Sequence, residues 1–247
     1  MRYFIELSYD GTRYHGWQSQ PNAISVQETI EKALSTLLRK DVAIVGAGRT
    51  DAGVHAQQMF AHFETANVEE DLAYRLNAFL PKDIAIRSVR AVNAEAHARF
   101  DATARTYEYW IARRKDPFLI DKAYQFSMPL DLAVMNEAAE VLLTYNDFQC
   151  FSRSKTDVKT YHCKIEAAFW QEREDLLVFT ITADRFLRNM VRAIVGTLLE
   201  VGQEKLEIED LKRIIESKDR REAGASAPAQ GLYLTQVEYP QHIFING

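Results

Sequence analysis

Apolar and polar residues alternate from Arg2 to Tyr9, the period-two rhythm of a half-buried strand. After a loop punctuated by Gly11 and Gly16, the period changes. Val26, Ile30, Ala33, Leu34, Leu37 and Leu38 recur at helical spacing, so Ser25–Leu38 reads as an amphipathic helix. Ser25 is its N-cap, and Glu28 three residues on completes a capping-box pattern. Asp41–Val45 is a short strand and Val54–Phe63 a longer one. Asp71–Ala78 is a short helix stopped ahead of Pro81, and Ile84–Val92 a strand.

The same rhythm then repeats. Arg105–Ala112 is strand-like, with Tyr107, Tyr109 and Ile111 on one face. Asp131–Leu143 is a helix. Tyr161–Trp170 and Leu176–Ala183 are strands joined by the charged turn Glu172 to Asp175. Phe186–Val201 is a strongly apolar helix, with Arg185, Arg188 and Arg192 three and four residues apart along its edge. Leu232–Glu238 is a last strand and Ile208–Glu216 an additional helix. Strand-helix-strand-strand-helix-strand, met twice, predicts an α+β fold of two ferredoxin-like units, related to the RRM architecture. Their sheets are expected to be mainly antiparallel, with the units at residues 1–103 and 104–247 and a boundary near Phe100–Ala104.

Composition narrows the class. Hydrophobic residues make up 47% and charged residues 26%, the balance of a soluble globular protein. The N-terminal run has no signal-peptide pattern, and no stretch approaches the ~18 apolar residues of a membrane helix. A cytoplasmic protein with no membrane partner is expected. Cys150 and Cys163 form no CxxC pair and read as reduced thiols in or near a core. The six histidines show no ligand spacing, so no structural metal is expected.

The net charge of −5 argues weakly against a nucleic-acid partner, yet the basic residues are clustered. Arg153, Lys155, Lys159 and Lys164 face a single acid, Asp157. Arg113-Arg114-Lys115 form a second group, and Lys218, Arg220 and Arg221 a third. As plain solvated loops they need no explanation; as phosphate contacts they would make binding salt-sensitive.

The stretch GAGRTDAGVHA, Gly46 to Ala56, carries the candidate chemistry. It begins like a dinucleotide-binding turn, but Asp51 stands where the third glycine belongs, and a carboxylate there would repel a pyrophosphate. Gly48 to Gly53 has the spacing of a phosphate loop, yet Val54-His55 replaces the required Lys and Ser/Thr. What remains is Asp51 two residues after Arg49. The bland account is a structural ion pair or an Asx turn. The sharper one is a reacting carboxylate: flanking glycines let a substrate approach closely, and the strand that follows is a rigid platform.

GRTDAGVHA, together with FDATARTYEY (Phe100–Tyr109), DRFLRNMVRAIVG (Asp184–Gly196) and PAQGLYL (Pro228–Leu234), resembles the tRNA pseudouridine synthase A family. YDGTRYHGWQ (Tyr9–Gln18) and NDFQCFS (Asn146–Ser152) match the same style, so the resemblance spans nearly the whole chain. It implies a homodimeric enzyme that converts uridine to pseudouridine in the anticodon stem-loop of tRNA, around positions 38–40, with no cofactor and no metal. By motif, Asp51 corresponds to the catalytic aspartate and Tyr107 to the tyrosine that stacks on the target uracil and helps move a proton. Arg192 corresponds to the arginine that pairs with the aspartate, and Leu232 to the apolar wall of the base pocket. Arg49 is implied in RNA contact or turn geometry. Thr106 departs from the pattern, standing where relatives often carry a second basic residue.

The chemistry fits one carboxylate. Glycosidases generally need two, one of them to protonate the leaving group. The uracil anion is delocalised over two carbonyls, so a general acid is dispensable. Attack at C1′, attack at C6 and proton removal at C2′ all remain open. Asp51 and Arg192 fall in different halves of the chain, which predicts a cleft between the units. The target uridine must leave the base stack, at a cost of a few kcal/mol, and an aromatic face such as Tyr107 can receive it. Two rival readings are an RNA-binding module without turnover and a metal-free hydrolase or lyase using Asp51. The first lacks RNP-type segments and the second lacks paired carboxylates.

Overall fold

The computed structural model describes residues 1–153 and 158–245. The protein is a mixed α+β protein with mainly antiparallel strand pairing. It divides into two compact units, Met1–Ala104 with Leu234–Gly247, and Arg105–Tyr233.

The first unit contains β1 (Arg2–Tyr9), α1 (Val26–Leu38), β2 (Val45–Gly46), β3 (His55–Glu64), α2 (Leu72–Phe79) and β4 (Ile84–Val92). β1 lies in the middle, antiparallel to β3 on one side and β4 on the other. Ser25 caps α1 as its spacing predicts, its side chain accepting the Glu28 N–H at 3.2 Å. Val26, Ile30, Ala33 and Leu34 form the buried stripe of that helix. Phe4 breaks the alternation of β1: it is buried on the opposite sheet face because Tyr239 and Phe244, from the C-terminal segment, pack edge-on against its ring.

The strand expected at Asp41–Val45 is reduced to two residues. Val42 and Ile44 are buried, but their N–H groups are taken by side chains of α1, Ser35 Oγ and Glu31 Oε1, at 2.9 Å each. Backbone donors satisfied in this way have no need of a ladder.

The second unit contains β5 (Ala104–Ala112), β6 (Tyr124–Gln125), α3 (Leu132–Val141), β7 (Ile165–Arg173), β8 (Leu176–Ala183), α4 (Met190–Gly202) and α5 (Ile208–Ser217). β8 pairs antiparallel with both β5 and β7. β9 (Leu232–Glu238) starts in this unit and continues into the first, where the Val237 N–H reaches Gln58 Oε1 at 3.0 Å. α4 is buried on nearly all sides and is the central helix of its unit.

Two expectations need correction here. β7 begins at Ile165 rather than Tyr161, because the preceding residues pair with the Asn146–Phe148 segment instead: the Cys163 N–H donates to Asn146 O at 2.9 Å, and His162 bridges Asp147. α4 begins at Met190 rather than Phe186. Asn189 sits at φ 67°, a left-handed conformation that no helical residue shares, and its side chain is held by Ser226 Oγ at 2.6 Å. Arg185 and Arg188 therefore lie ahead of the helix, and Arg192 alone of the three is on it.

Candidate active site

In the first unit, Asp51 opens a tight turn. Its carbonyl accepts the Val54 N–H at 3.2 Å, and Gly53 holds φ +78° at the third position, which needs glycine when φ is positive. Asp51 itself is half-buried and Arg49 exposed, while Thr50 and His55 are buried.

The turn is gripped by the Tyr9–Trp17 loop through main-chain contacts. Trp17 N–H donates to Thr50 O at 3.2 Å, and Gly53 N–H donates to Tyr14 O at 3.3 Å. The Gly11 N–H lies 3.1 Å from His55 Nδ1, and the Asp10 carboxylate, which accepts from Thr12, lies 3.1 Å from the same nitrogen. Gly16 has φ +91°, and a Cβ on it would lie 2.4 Å from Thr50 O. A Cβ on Gly11 would lie 2.0 Å from Val54 O. The glycines of the first motif thus exist to let one backbone lie against the other. Asp83 secures the loop from below, accepting from Arg13 Nε at 2.7 Å and from the Tyr14 hydroxyl at 2.7 Å. Burial and that carboxylate push the pKa of the Tyr14 phenol up, keeping it neutral.

In the second unit, Arg192 sits on the first turn of α4. Its Nε donates to Ala227 O at 2.7 Å, and the Ala227 N–H returns a bond to Arg192 O at 2.9 Å. Next to it, the buried Tyr109 hydroxyl donates to Pro228 O at 2.7 Å. Burial raises the pKa of that phenol, and the Arg192 guanidinium opposes the rise. Close packing brings the Ala223–Ala227 segment onto α4: a Cβ on Gly196 would meet Ala225 O at 1.8 Å, and the Gly224 N–H donates to Thr197 Oγ1 at 2.9 Å. Tyr107, half-buried on the same face of β5 as Tyr109, meets the Phe186 ring edge-on with centroids 5.1 Å apart. Leu232, first residue of β9, is buried.

Tyr107, Arg192 and Leu232 lie on β5, α4 and β9, and Arg49 and Asp51 in the segment between β2 and β3. Tyr107, Arg192 and Leu232 share one unit, and Arg49 and Asp51 the other. Residues that sequence reasoning passed over are Tyr9, Thr50 and His55, whose only signal was their place inside the glycine-punctuated motifs.

The basic clusters divide by use. Arg113 holds the carbonyls of Phe126 and Met128, Arg114 pairs with Asp175, and Lys218 pairs with Asp147. Arg220 binds the carbonyls of Ala223 and Gly224, and Arg221 pairs with Asp219. These groups are engaged within the protein, though the Arg114–Asp175 and Arg221–Asp219 pairs are exposed and contribute little to stability. Arg153, Lys159 and Lys164 are exposed, while Lys155 and Asp157 lie outside the described residues. Both thiols are buried, and burial pushes Cys150 and Cys163 up to about 12, so they are unreactive. Among the described residues no group of three His, Cys, Asp or Glu is arranged to hold a metal ion, and no helix is long and apolar enough to cross a membrane.

A family model described as tRNA pseudouridine synthase matches residues 7–101 and 138–240. The first segment holds Asp51 and the second Arg192 and Leu232; Tyr107 falls between them. Among curated proteins, the chain is 58% identical to tRNA pseudouridine synthase A of Bacteroides fragilis, over 98% of both chains. It is 57% identical to the protein of that name from Bacteroides thetaiotaomicron, over 98% of this chain and 92% of the other. It is 42% identical to that from Acetivibrio thermocellus, over 94% and 97%. With the motifs in order and both matched segments carrying the residues built above, the chain belongs to the tRNA pseudouridine synthase family.

Proposed function

We propose that this protein isomerises uridine to pseudouridine in the anticodon stem-loop of tRNA, at the positions implied by its motifs, as a cytoplasmic homodimer needing neither cofactor nor metal. The observation that carries the reading is Asp51, a half-buried carboxylate on a turn fixed by its neighbours' backbone, inside a segment matched by the family model.

In this reading Asp51 acts on the flipped nucleotide. Breaking the N–C bond releases a uracil anion that needs no protonation, so one carboxylate serves where glycoside hydrolysis uses two. Arg192 supplies an always-charged guanidinium, the role its motif implies. Its Nε is committed to Ala227 O, which orients the rest of the planar fork. Tyr107 offers its ring to the extruded base, stacking worth ~1–3 kcal/mol, and its hydroxyl for a proton. Leu232 closes the apolar side of the base pocket, and Arg49, exposed beside the turn, contacts RNA. Arg153, Lys159 and Lys164 are the phosphate contacts, giving affinity that falls with salt.

The test is tritium release from unmodified tRNA carrying C5-labelled uridine. Wild type is expected to release tritium. Asp51→Asn is expected to bind tRNA and release none, and turnover in that variant would remove Asp51 from the chemistry. Affinity with no turnover in wild type would leave an RNA-binding module.

A further inference from the structure

We propose that Tyr9 is a positioning residue for Asp51, acting through the side chain of Thr50; this rests on the reading of Asp51 as the catalytic carboxylate. The Tyr9 hydroxyl and Thr50 Oγ1 lie 2.8 Å apart, and both residues are buried, 4% and 9% exposed.

The turn is unevenly supported on its two sides. Upstream, Ala47 is buried with its N–H on Phe60 O at 2.7 Å, but a Cβ on Gly48 would meet nothing within 4 Å and Arg49 is exposed, so the two residues just ahead of Thr50 are lightly packed. Constraint resumes at Thr50. Its carbonyl accepts from Trp17 N–H, and its hydroxyl is tied to Tyr9, so main chain and side chain are both held. One peptide on, the direction of the Asp51 Cα–Cβ bond follows from the torsions of Thr50. Tyr9 is itself firmly anchored. It ends β1, opposite Ala56 of β3, and its ring lies 6.1 Å from that of the buried Trp17. The bond therefore references the carboxylate to the sheet rather than to the loop. A misplacement of about 1 Å at a reacting group lowers rates by about 10²-fold.

Tyr9→Phe keeps the ring and its packing, and the Trp17–Thr50 and Gly53–Tyr14 backbone bonds do not depend on the phenol. Tritium release by Tyr9→Phe, Thr50→Val, Thr50→Ser and the Tyr9→Phe/Thr50→Val double variant, with thermal unfolding of each, decides the matter. The expected result is kcat about ten-fold or more below wild type for Tyr9→Phe and Thr50→Val, with KM for tRNA within about two-fold. The double variant should be no worse than either single, and Thr50→Ser, which keeps the hydroxyl, close to wild type. Unchanged kcat in folded Tyr9→Phe, or effects that multiply in the double variant, overturns the proposal. An active Asp51→Asn protein would instead overturn the reading beneath it.

Discussion

Arg192 and Ala227 bind each other twice, through the guanidinium Nε to the Ala227 carbonyl and through the Ala227 N–H to the Arg192 carbonyl, at 2.7 and 2.9 Å. An arginine on the first turn of α4 is thereby locked to the segment that leads into β9. Its conformation is set before any ligand arrives, the arrangement expected of a preorganised charge.

Lysine at this position keeps the charge and loses the Nε donor and the planar fork. Arg192→Lys is expected to lower single-turnover tritium release by roughly 10²-fold. It should also lower stability by about 1.5–3 kcal/mol, the worth of a hydrogen bond to a charged donor. Thermal unfolding and kinetics read the two losses separately. A fall in melting temperature with unaltered turnover would leave Arg192 a structural residue.

Gly196 lies inside α4, where Gly→Ala ordinarily stabilises by about 1 kcal/mol. Here the sign should reverse. The new Cβ would meet Ala225 O at 1.8 Å, and a backbone atom cannot swing aside as a side-chain tip can. Gly196→Ala is expected to cost about 2 kcal/mol, a fall in melting temperature of roughly 4–8 °C. A calorimetric rise would show that the Ala223–Ala227 segment yields.

His62 is buried in β3, with the His97 ring edge-on at 4.6 Å. Its Nδ1 accepts the Ala98 N–H at 3.1 Å, a role that requires this nitrogen to be unprotonated. Burial first, then His97 and Arg2, lower its pKa from 6.5 to about 4, against the smaller opposing pull of Glu64 and Asp101. Below pH 6.5 the unfolded chain binds a proton that the folded chain refuses, so stability falls with pH until about pH 4, where both forms are protonated. Between pH 7 and pH 5 the loss from this one group is on the order of 1–2 kcal/mol. Thermal unfolding across that range, compared with His62→Gln, isolates it: Gln retains an acceptor for Ala98 and cannot titrate, so its slope should be shallower. Parallel slopes would show that other groups carry the acid sensitivity.

Periodicity and capping chemistry, both local, made most elements readable from the chain alone: β1, α1, β4, β5, β8 and β9 lie where their apolar spacing put them. Asp51 and the motif around it stood out for the same reason, since a carboxylate between glycines is unusual without neighbours to compare. Where elements differ from that reading, a contact outside the local periodic pattern decided. Side chains of α1 took the backbone donors of residues 42 and 44, the Asn146–Phe148 segment captured residues 161–163, and the left-handed Asn189 delayed α4 to Met190. Tertiary structure alone also revealed that Gly11 and Gly16 are small so that one loop can lie against another, and that the chain from Leu234 returns to the first unit. The physical reason is common to all of these: hydrogen-bond partners and sterically shared space are properties of pairs of residues, and a linear pattern specifies only one member of each pair.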